Sequence, residues 1–112
     1  MSFFDSDIVR SEMAEIHELQ EDIYANVMKF PYMNRAEKLE HIDQLIKLVE
    51  KQKVVYARLS LSEDPDAKKM QSEIRRSAEM MGLPKNVDMN VIFNQMSEMS
   101  TMMREQLDIG II

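Results

Sequence analysis

The stretch 34–61, NRAEKLEHIDQLIKLVEKQKVVYARLSL, contains neither glycine nor proline, and it constrains the fold of this chain more than any other segment. Leu39, Ile42, Leu45, Ile46, Val49, Tyr56 and Leu59 recur at steps built from three and four residues, which places them on one broad face of a helix. Asn34, with Glu37 three residues on, offers an N-cap and its return contact. At 1.5 Å rise per residue this helix runs roughly 40 Å. A helix of that length in a small protein needs neighbours to bury its stripe.

Those neighbours are legible on both sides. Upstream, Val9, Met13, Ile16, Ile23, Val27 and Phe30 form a heptad-like seam, widened by Leu19, Tyr24 and Met28. Asp5 is the expected N-cap, with Phe4 and Val9 as a hydrophobic staple, and Pro31 is the expected end. The short connection 31–33 predicts an antiparallel hairpin with the long helix. The first helix presents Glu12, Glu15, Glu18, Glu21 and Asp22, and the second carries Lys47, Lys51, Lys53 and Arg58, so opposite charges adjust the register.

Downstream, Asp64-Pro65-Asp66 restarts a helix with the stripe Met70, Ile74, Ala78 and Met81, stopped by Gly82, Leu83 and Pro84. Asp88 caps a fourth helix, with Val87 and Ile92 as its staple, carrying Met89, Ile92, Phe93, Met96, Met99, Met103 and Leu107. Gly110 breaks it before Ile111 and Ile112. The reading is all-α: a long antiparallel helical hairpin plus two shorter helices, four-helix bundle-like and self-associating. It forms a single domain with helices over about 6–30, 35–61, 65–81 and 89–107.

Composition removes several functions. With no cysteine, disulfides, thiolate zinc sites and a cysteine nucleophile are excluded. Two glycines leave no phosphate-cradling loop. A formal net charge of −6 disfavours general nucleic-acid binding. No apolar run approaches the roughly 20 residues that span a bilayer, and the N-terminus lacks the pattern of a secretory signal. A cytoplasmic protein is expected.

FFDSDIV near the N-terminus, RAEKLEHIDQL in the long helix, LSED before the third helix and FNQM in the fourth occur in an order that resembles the domain-of-unknown-function 1825 family, small proteins of cyanobacteria and cyanophages. The resemblance covers the chain from about Phe3 to the fourth helix. It implies a cyanobacterial cell, or host cytoplasm or virion if phage-encoded, and it supplies no activity, cofactor or catalytic residue.

Candidate sites follow from the remaining patterns. A bundle di-iron site needs Glu-x-x-His spacing, and the residues three before His17 and His41 are Ala14 and Lys38. His17 with Glu21, and Glu37 with His41, share faces but supply too few ligands. No metal, cofactor or catalytic residue is expected. Lys68, Lys69, Arg75 and Arg76 can line one strip as a weak anion contact, without aromatic residues nearby to stack bases.

The 12 methionines are the most distinctive feature, because their flexible, polarizable side chains suit adaptable contact surfaces. Met96, Met99, Met102, Met103 and Phe93, together with Val9, Met13 and Ile16, are the candidate partner or self-association surface. The expected function is a non-catalytic protein–protein interaction module, a homodimer or higher homo-oligomer with a possible host or phage protein partner. The alternatives are a homo-oligomerising virion component and a metal-binding or enzymatic bundle using His17 and His41.

Overall fold

The computed structural model describes residues 3–80, 82, 84–85 and 87–110. Four α-helices are present: α1 (Asp7–Asn26), α2 (Arg35–Leu61), α3 (Pro65–Met80) and α4 (Met89–Asp108). There is no strand among the described residues, so the fold is all-α.

The long helix forms as its sequence dictates. Asn34 Oδ1 accepts the Glu37 backbone N–H at 2.9 Å, and Glu37 Oε1 accepts the Asn34 N–H at 3.4 Å, closing a capping box at the start of α2. Ile42, Val49, Tyr56 and Leu59 from the expected stripe are buried. So are His41, Leu48 and Val55, one residue offset, which gives α2 a second seam about 100° away. The two seams take two different partners.

α1 packs antiparallel on one flank of α2. Lys51 is hydrogen-bonded to Glu15, and Arg58 lies 3.1 Å from Glu12, so acidic groups of α1 meet basic groups of α2 as expected. α4 packs antiparallel on the other flank. Lys53 donates to Asn94 at 2.9 Å, Tyr56 meets Phe93 at 5.7 Å between ring centroids, and Arg104 lies 3.3 Å from Asp43. α1 and α4 have no extended interface with each other among the described residues. α3 folds back over the C-terminal part of α2 only. There Ala67, Met70 and Ile74 pack with Val55 and Leu59, and Phe3, Phe4 and Ile16 close the cluster. Ile74 and Ala78 also reach Tyr56, Met89 and Phe93.

The resulting layer is elongated, 48 × 32 × 19 Å. Its radius of gyration is 15.9 Å, against about 13 Å for a compact chain of this length.

Three local expectations are corrected. The N-cap of α1 is Ser6, whose Oγ accepts from the Val9 N–H at 3.5 Å, rather than Asp5. Phe3–Asp5 close a 3₁₀ turn first, and Asp5 faces Arg10 at 3.7 Å. α1 does not run to residue 30. It ends at Asn26, and Val27–Tyr32 continue as a 3₁₀ helix through Pro31. A proline ring there clashes with the carbonyl four residues back in an α-helix, and the tighter winding avoids it. As a result Val27 and Met28 leave the seam and are exposed, and Tyr24, within α1 itself, is exposed as well.

The two glycines mark helix ends. Gly82 has φ +96° and Gly110 φ +81°, left-handed values that suit a residue without Cβ. Met81, Leu83, Ile111 and Ile112 lie outside the described residues.

Candidate functional site

Chemistry would require convergent polar groups, and the described residues offer few. His17 Nε2 sits 2.9 Å from Glu21 Oε1 on the exposed face of α1. His41 is buried against Phe30, 5.6 Å between ring centroids, and Lys38 Nζ lies over the Phe30 ring, 5.5 Å from its centroid. The two histidines do not share a ligand set, and no three His, Cys, Asp or Glu side chains converge among the described residues.

A polar cleft of about 130 Å³ lies beside His41, lined by Asn26, Met33, Glu37, Glu40 and Gln44. Burial pushes the His41 pKa down, and its Nδ1 is buried without a hydrogen-bond partner among the described residues. Glu15 is the opposite case: the Lys51 ammonium, hydrogen-bonded to it, holds its carboxyl below the usual range. An open depression of about 680 Å³ is lined by Phe3, Ser6, Val9, Arg58, Leu61 and Asp64 among others. Its charged groups already have structural work. Arg58 faces Glu12, and Asp64 accepts from the Phe3 and Asp66 N–H groups at the α3 start.

The basic strip on α3 is only partly available. Lys68, Lys69 and Arg76 are exposed, but Arg75 Nη1 donates to the Val87 carbonyl at 3.0 Å and braces the α3–α4 connection.

The apolar candidates divide sharply. Val9 and Phe93 belong to the core, each about 5–6% exposed, and are withdrawn from the surface. In Phe93 the offset from the Met strip is decisive: it sits on the face of α4 turned to Tyr56. Met13, Ile16 and Met103 are half-buried, and Ile16 packs into the Val55–Leu59–Ala67 cluster. Met96, Met99 and Met102 remain exposed, at 38%, 65% and 56%.

Sequence reasoning missed a second exposed group. Tyr24, Met28 and Tyr32, 70–91% exposed, crowd the hairpin tip. For Met28 and Tyr32 the signal was Pro31, whose tighter 3₁₀ winding takes both off the α1 register. No helix among the described residues is long and apolar enough to cross a membrane.

The family model for a domain of unknown function (DUF1825) matches residues 1–107. The chain belongs to this family. No curated protein and no solved structure matches it. The match spans all four helices, so the flank arrangement around α2 and the Met-rich α4 both lie within the family domain.

Proposed function

We propose that this DUF1825 chain is a non-catalytic helical interaction module of the cytoplasm. It works by offering uncovered apolar helix surface to another protein chain, in a homo-oligomer or with a further partner. The acidic outer face of α1, with Glu18, Glu21 and Asp22 exposed, steers basic partners over longer range.

The observation that carries this reading is surface area. The chain exposes 7900 Å², whereas a compact monomer of 13.2 kDa exposes about 6,400 Å². The excess, about 1,500 Å², is larger than the roughly 800 Å² that a standard interface takes from each partner. Met96, Met99 and Met102 on α4 and the aromatic hairpin tip are among the large apolar side chains left exposed on it.

The test is complex formation by the full chain, followed by affinity capture and by light scattering on a sizing column. Met102→Asp is expected to abolish the complex while leaving helical circular dichroism unchanged, since Met102 is exposed. A chain that forms no complex at any concentration, or a Met102→Asp variant that keeps every complex, refutes the reading.

A further inference from the structure

α4 bears two heptad-spaced strips, about 100° apart around its axis. The first includes Met89, Phe93, Ser100 and Leu107, all buried toward α2. The second runs Ile92, Gln95, Met99, Met102, Gln106, Ile109, at steps of three, four, three, four and three. It contains no charged residue. Met99, Met102 and Ile109 are 65%, 56% and 71% exposed, Gln95 is exposed, and Ile92 and Gln106 are half-buried.

This strip is a palindrome in both residue type and spacing: Ile, Gln, Met, Met, Gln, Ile about a centre between Met99 and Met102. A two-fold axis through that centre, perpendicular to α4, sets Met99 opposite the partner's Met102 and Gln95 opposite the partner's Gln106. Ile92 then faces the partner's Ile109. Methionines meet methionines in the middle, and each glutamine can both donate to and accept from its counterpart. An isologous interface requires this kind of self-complementarity.

We infer that the occupant of this strip is the same strip of a second copy, with the two α4 helices antiparallel about a two-fold axis. The inference rests on the reading that uncovered α4 surface is an interaction surface, and it adds the partner and the geometry. Met99, Met102 and Ile109 supply exposed apolar side chains along much of the strip. Permanently uncovered surface also favours a partner always present at equal concentration, and a second copy meets that condition.

The flanking charges make the geometry testable. Glu98 and Glu105 precede Met99 and Gln106 by one residue, so antiparallel pairing places Glu98 beside the partner's Glu105, twice per dimer. Like charges there weaken the dimer, and added salt tightens it by screening them.

The experiment is sedimentation equilibrium of the full chain over a concentration series. The expected species is twice the 13.2 kDa chain mass. Glu98→Lys converts both repulsions to attractions and is expected to tighten the dimer about tenfold. Glu98→Lys combined with Glu105→Lys restores like-charge contacts and cancels that gain. Met99→Asp dissociates the dimer. A dimer indifferent to Glu98→Lys overturns the antiparallel α4 pairing while leaving the broader interaction reading intact. A chain monomeric throughout, yet held by another protein in a complex that Met99→Asp breaks, overturns the second copy alone. A monomer that makes no complex at all overturns both.

Discussion

Replacing His41 with leucine is expected to stabilise this protein, against the usual direction of a substitution in a buried site. His41 is 5% exposed, and its Nδ1 has no hydrogen-bond partner among the described residues. An unsatisfied buried polar atom costs about 1–3 kcal/mol. Leucine removes that atom and keeps an apolar group of similar size against Phe30, at the loss of a ring contact worth about 0.5–1.5 kcal/mol. The net gain near neutral pH is about 1 kcal/mol, or about 4 °C in Tm for a chain of this length.

The pH dependence sharpens the test. Burial lowers the pKa of His41 in the folded state, so the unfolded chain takes up the proton first as pH falls. The stability supplied by keeping the ring neutral is complete above the ordinary imidazole pKa of about 6.5, and it is lost as pH drops from there through the folded value. Leucine has nothing to protonate. The advantage of His41→Leu over the native chain is therefore expected to widen on acidification. The substitution removes no other ionisable group, so the difference between the two urea-denaturation curves isolates His41. Destabilisation by His41→Leu at neutral pH, or a difference that stays constant with pH, refutes this account of the site.

Leu59→Ala is expected to cost about 2–5 kcal/mol in urea denaturation, because Leu59 is fully buried where α2, α3 and the N-terminal Phe3–Phe4 pair meet; a loss under about 1 kcal/mol would mean that this junction collapses around the gap. Asn34→Ala removes the Oδ1 acceptor of the α2 capping box, leaving only the backbone N–H bond to Glu37 Oε1, and is expected to cost about 1 kcal/mol, with Asn34→Asp close to neutral by thermal melt. Under mild peroxide, Met99 and Met102 are expected to become sulfoxides well before Met89, which is 5% exposed; peptide mass spectrometry reads the order, and dimer dissociation is expected to follow the oxidation of the exposed pair.

Much of the fold was written locally. The capping box at Asn34 and the Asp88 cap are interactions within one turn, and Asp88 Oδ1 accepts the Asn90 N–H at 2.9 Å as its position suggests. Gly82 and Gly110 stop helices because the left-handed conformation is a property of a single residue. The Glu12–Arg58 and Glu15–Lys51 pairs follow once two complementary helices fold back on a short turn. The end of α1 was misread for a local reason as well: Pro31 can be accommodated by tightening the helix as well as by ending it.

The sequence by itself determined which segments are helical, where α2 begins and ends, and that α4 has more apolar surface than one neighbour can cover. Periodicity records these things because it depends only on 3.6 residues per turn. Only the tertiary structure decided how the apolar surface was divided. Placing α1 and α4 on different flanks of α2 buried Val9 and Phe93, left Met99 and Met102 outside, and trapped His41 without a partner for Nδ1. Two faces of one helix look alike in sequence. Which of them meets another helix depends on the positions of residues dozens of places away in the chain.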